Sequence, residues 1–166
     1  GGDDDAYRRI SPDEETYGFS FINPFALDVA DPDVMYMAWA GGVLRHNGLT
    51  SINLNDSRNP YSNGWSQFGF TLGGGNHRIS SMSVSRQNPT HTLYVGTNSG
   101  KIYKFNNANT GNPQEIDISI TGMNAGQYIS SIAVHPYDGG KLLVTTSNYN
   151  TYSIFYSPDG GLSWAR

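Results

Sequence analysis

Short runs of β-branched, aromatic and aliphatic residues, bounded by Gly, Pro, Asn or Asp, recur along most of this chain. Runs of that length and composition predict strands on a pleated, half-buried surface. They recur in a fixed order. Ile79-Ser80-Ser81-Met82-Ser83-Val84 is repeated as Ile129-Ser130-Ser131-Ile132-Ala133-Val134, and Phe25-Ala26-Leu27-Asp28-Val29 occupies the same place earlier. A turn-prone stretch follows each, at 30–33, 86–89 and 135–140, and leads into a second strand at 34–39, 92–97 and 141–146. Third strands are predicted at 43–46, 101–105 and 153–156. In the second of these, Lys101-Ile102-Tyr103-Lys104-Phe105 alternates with period two, as a half-exposed strand does. Fourth strands are placed near 65–68 and 114–118, and residues 6–10 read as the fourth strand of a preceding unit.

The copies are 50 residues apart from Ile79 to Ile129 and 55 apart from Val29 to Val84. Four strands at that spacing predict the blades of a β-propeller, in which radial repetition buries each small sheet against its neighbours. A β-sandwich gives no reason for Ile-Ser-Ser-apolar-x-Val to return at a set interval. The expectation is an all-β chain of about three four-stranded blades, forming a partial propeller or half of a larger ring. Residues 1–20 hold a fourth strand of a preceding blade and a linker, 21–75 the first blade, 76–125 the second, and 126–166 a third lacking its fourth strand.

Composition narrows the classes of function. Twenty Gly, 11 Tyr and only 14% charged residues suit many short strands and tight turns. A net charge of −4 leaves no broad basic surface for a phosphate backbone, so nucleic acid is not an expected partner. Without cysteine the chain has no disulfide, thiolate metal site or cysteine nucleophile. No run approaches the ~18 apolar residues of a membrane span. The start at Gly1-Gly2-Asp3-Asp4-Asp5 and the end at Trp164-Ala165-Arg166 suggest a processed or excised piece.

Ser157-Pro158-Asp159-Gly160-Gly161-Leu162-Ser163-Trp164 satisfies the pattern Ser-x-Asp-x-Gly-x-Ser/Thr-Trp, the Asp-box or bacterial neuraminidase repeat. Its constraints are those of a turn. The Asp carboxylate accepts from turn amides, the glycines allow positive φ, and the Trp fills apolar space while its indole N–H seeks an acceptor. Ser157, Asp159, Gly160, Gly161, Ser163 and Trp164 are therefore assigned a structural role. Together with residues 21–28, 31–36, 93–100 and 106–113, the motif resembles the sortilin-type and Asp-box propellers of large exported proteins from Bacteroidetes-like bacteria. That resemblance implies a secreted, extracellular or cell-surface location.

Asp-box propellers include enzymes, so the resemblance raises the question of catalytic residues. Sialidases need an arginine triad, a Tyr–Glu nucleophile pair and an acid/base Asp, and no arginine of this chain stands in such a context. A glycosidase needs two carboxylates facing one cleft across about 5–10 Å. Asp28 is the one candidate, on the opposite face from Leu27 and Val29, with no second carboxylate at a matching place. His46, His77, His91 and His135 are scattered without metal spacing and read as surface or turn histidines. Calcium is the one cofactor the residues suggest, through oxygen ligands in residues 3–5 or 53–59. Gly73-Gly74-Gly75 lacks the context of a phosphate cradle. Trp39, Tyr61, Tyr149 and Tyr152 are candidates for stacking on a sugar.

The expectation is thus a non-catalytic extracellular scaffold or recognition module, binding protein, peptide or glycan through blade loops. Its other partners are further propeller blades or a second copy of the chain. The alternatives are a piece of a glycan-active hydrolase, sialidase- or xyloglucanase-like, and an adhesion or filament-forming surface protein.

Overall fold

The computed structural model describes residues 10–13, 15–53, 64–72, 76–124 and 126–166. Among these described residues, eleven strands are arranged in three antiparallel meanders. The first sheet contains β1 (Phe25–Leu27), β2 (Val34–Trp39), β3 (Gly42–Asn47) and β4 (Trp65–Gln67), hydrogen-bonded in chain order. The second repeats that order with β5 (Ile79–Val84), β6 (Leu93–Thr97), β7 (Ile102–Phe105) and β8 (Glu115–Asp117). The third has β9 (Ile129–His135), β10 (Asp138–Thr146) and β11 (Ile154–Ser157), and Ala165 adds an isolated bridge to Tyr156 on the outer edge of β11. Helical structure among the described residues is one 3-10 turn at Leu49–Ser51, and no helix there is long and apolar enough to cross a membrane.

Register shows that the three sheets are copies of one unit. Ala26, Tyr36, Arg45 and Ser66 are cross-strand partners in the first. Ser83, Tyr94, Lys104 and Ile116 take those places in the second, and Ala133, Leu143, Tyr156 and Ala165 in the third. Successive residues of a strand point to opposite faces, so each row defines the front of its sheet. In the first two sheets that front packs on the back of the next.

Two apolar cores result. Tyr36, Val43 and Phe68 of the first sheet meet Val84, Leu93, Val95 and Phe105 of the second. Tyr94, Ile102 and Ile118 meet Ile132, Leu142, Val144 and Phe155 of the third. The inner strands β1, β5 and β9 neighbour one another in turn, and Ser80 Oγ donates to Ile129 O at 2.6 Å across the second pair.

The strand predictions hold to within a residue or two except at two places. The stretch 135–140 is largely strand: β9 runs to His135 and β10 starts at Asp138, with a register shift between Asp138 and Leu142. Gly139 explains the shift. A Cβ there would stand 2.7 Å from Gln87 O, so only a glycine lets this backbone close on the loop of the second sheet. The other difference concerns the N-terminal strand. Residues 6–9 lie outside the described residues, and 10–13 and 15–20 form no strand. They lie against the back of the first sheet. Trp65 Nε1 donates to Ile10 O at 2.8 Å, Ala40 N donates to Gly18 O at 2.7 Å, and Tyr17 meets Trp39 edge-on at 5.3 Å.

Candidate functional site

Several buried polar groups lie at the seams between sheets, Asp28 and Arg45 among them. Asp28 follows β1 and turns toward the second sheet, away from the solvent-exposed Leu27 and Val29, as its position in the strand predicts. Its side chain is fully buried. Tyr36 Oη donates to Asp28 Oδ2 at 2.8 Å, His91 Nδ1 lies 3.0 Å from the same oxygen, and Ala30 N donates to Oδ1 at 3.0 Å. Burial, reinforced by the Asp28 bond, drives the Tyr36 hydroxyl far above the usual phenol range. Asp28 is thereby committed to joining two sheets. At the next seam Tyr94, the register equivalent of Tyr36, donates to Gly139 O at 2.8 Å. Burial and then the Asp138 charge push its hydroxyl to about 12. Arg45 completes the first seam, with its two terminal nitrogens on Ala108 O at 2.9 Å and Gly111 O at 3.0 Å.

The 157–164 turn is built as its residue types require. Ser157 Oγ donates to Asp159 Oδ1 at 2.9 Å and accepts from Gly161 N at 2.8 Å. Ser163 N donates to Asp159 Oδ1 at 2.8 Å, and Ser163 Oγ to Oδ2 at 2.5 Å. Those bonds, the Ser163 hydroxyl first, hold the exposed Asp159 carboxyl below its usual range. Gly160 and Gly161 have φ of 72° and 93°, and a Cβ on Gly161 would stand 2.6 Å from Ile118 Cβ. Trp164 fills the end of the seam, donating from Nε1 to Ile118 O at 3.0 Å.

Beside this turn lies a cleft of about 430 Å³, between the loop after β8, the β10–β11 connection and the chain end. Phe155 and Trp164, with Ile120, Met123 and Leu162, form its apolar side. Gln127, 3% exposed, donates from Nε2 to Thr151 Oγ1 and so ties one loop to the other. The Arg166 guanidinium lies over the Tyr152 ring, 4.6 Å from its centroid, and Tyr152 still keeps 61% of its surface in solvent. The volume is within the range of small-ligand pockets.

Solved structures place this arrangement. The chain is similar to the GH74 xyloglucanase from Xanthomonas campestris, at TM-score 0.58 and 16% identity, over 85% of this chain and 20% of that one. It is also similar to the β-propeller domain of a Myceliophteria thermophila protein, at TM-score 0.54 and 12% identity, over 89% and 38%. The fold is that of a β-propeller. At these identities the likeness concerns the fold alone, and the chain spans well under half the length of either neighbour. No family model and no curated protein matches it. The three meanders are three consecutive blades.

The residues singled out from the sequence fall in different surroundings. Tyr152 lines the cleft. Tyr149 stands at the tip of the adjoining turn, 99% exposed and outside the lining. Trp39 is packed over Gly41 and against Tyr17, so its ring covers the back of the first blade. Tyr61, residues 3–5, residues 54–59 and the three glycines at 73–75 lie outside the described residues. One histidine departs from the surface or turn reading: His46 is buried on β3 with its ring 5.1 Å from that of Trp65, whereas His91 lies in the turn between β5 and β6 and there meets Asp28. The missed cleft residues, Gln127 and Arg166, gave no local signal, because their partners lie 24 and 14 residues away in sequence.

Proposed function

We propose that this chain is a section of a larger propeller that acts as a non-catalytic extracellular scaffold or recognition module, engaging protein or glycan through its blade loops. One observation carries the scaffold reading. Leu143 and Tyr156 occupy the register positions that pack the next blade in the first two sheets, yet they are 48% and 39% exposed. Ile154 on the same face is 61% exposed, and on the back of the first blade Phe25 and Leu27 are 66% and 54% exposed. A front and a back of this kind are complementary, and apolar sheet faces in water favour being covered. The occupant their register fits is another blade, from a longer chain or a second copy. The Asp-box pattern of 157–164 supports kinship with sortilin-type and Asp-box propellers, and with it secretion from a bacterium.

The rival reading is a section of a glycan-active hydrolase. It requires two carboxylates across one cleft, whereas Asp28 is enclosed between Tyr36 and His91 and Asp159 is bonded within its turn. Light scattering and native mass measurement on the purified chain test the scaffold reading. Species larger than the 18.1 kDa single chain are expected. A stable, monodisperse monomer overturns it.

A further inference from the structure

The cleft beside the 157–164 turn has a lining of consistent chemistry. Its polar side consists of amides and hydroxyls, among them Asn124, Gln127, Asn150, Thr121 and Thr151. Arg166 is the one charged side chain in the lining, and no carboxylate side chain of the described residues joins it. Asp159 stands behind Ser163, with its oxygens occupied by Ser157 and Ser163. The aromatic component comes from Tyr152, Phe155 and Trp164.

Each part selects for something different. Amides and hydroxyls arrayed around an aromatic floor suit a ligand with many hydroxyls and one apolar ring face, as a pyranose has. A guanidinium with no Asp or Glu side chain beside it in the described lining suits a planar anion, which it grips with two parallel N–H bonds. Stacking over Tyr152 holds the guanidinium plane, and the Gln127–Thr151 bond sets the two loops relative to each other. Such preorganisation lowers the ordering cost of binding. A long polyanion is disfavoured by the net charge of −4, so a short ligand with a single carboxylate per unit fits best.

We propose that this cleft binds an anionic saccharide, a uronate unit whose ring lies in the aromatic part of the cleft and whose carboxylate meets Arg166. The assignment rests on the reading of the chain as a recognition module, but not on how its blades assemble. The test is calorimetric titration of the full chain with galacturonate oligomers and with the same oligomers methyl-esterified, with light scattering on the same samples. The free acid should bind about tenfold more tightly than the ester, the difference expected of one charge-assisted contact. Arg166→Gln should abolish that difference, and Tyr152→Ala should weaken both ligands. Both residues are exposed, and circular dichroism checks that the variants fold. In the unmodified protein, NMR shifts of the Gln127 side-chain amide and the Trp164 indole should follow the acid titration. Absence of binding, equal affinity for acid and ester, or shifts confined to other residues overturns the proposal. An assembled chain without binding rejects the cleft assignment alone, while a monomer that binds rejects only the scaffold reading.

Discussion

Tyr36→Phe removes a single oxygen from the seam between the first two blades and leaves the packing volume unchanged. The lost bond runs 2.8 Å from a fully buried phenol to a fully buried carboxylate, so neither group has water as a substitute. A hydrogen bond to a charged group contributes about 1.5–3 kcal/mol. His91 and the Ala30 amide remain on the carboxylate, which places the expected loss near the lower end, about 2 kcal/mol. On a chain of this size that corresponds to a fall in melting temperature of about 4–8 °C. Asp28→Ala should cost more, since it leaves the Tyr36 hydroxyl without a partner. His91, with 23% of its side chain exposed, can turn to water and adds less. Urea unfolding of both single variants and the double variant gives the coupling directly: the double variant should lose less than the sum of the singles. Two results refute the reasoning. One is a Tyr36→Phe variant as stable as the parent; the other is an Asp28→Ala variant that keeps its stability and loses an activity.

The other predictions concern the last turn. Gly161→Ala combines a left-handed backbone at φ 93° with a contact 2.6 Å from Ile118 Cβ, so it should destabilise by about 2–4 kcal/mol in denaturant titration; a neutral result would mean that the turn does not press on the second blade. Asp159→Ala should lower the melting temperature at neutral pH and make stability less sensitive to acid. The folded-state carboxyl of Asp159 titrates below its ordinary 3.8, so its contribution is full above that pH and is lost as pH falls through the folded value. An unchanged acid profile in the variant would refute this.

Strand positions were legible in the sequence because they depend on local properties. Alternation along β7, apolar and aromatic residues in β2, β-branched residues in β10, and Gly, Pro and Asn between them act over a few residues, and the repeated Ile-Ser-Ser segment exposed the unit. The 157–164 turn was legible for the same reason: the bonds among Ser157, Asp159, Gly161 and Ser163 join residues no more than four apart. What covers each face depended on the tertiary structure. Asp28 sits 63 residues from His91, Tyr94 sits 45 from Gly139, and Arg45 sits 63 from Ala108, so no local pattern records these bonds. The strands themselves look alike front and back, because a blade between two others is apolar on both sides. Only packing separates the fronts of the first two blades, which are buried, from the front of the third, which is open. The same holds for the cleft, where two loops and the Arg166 side chain become a site once the second and third blades are set against each other.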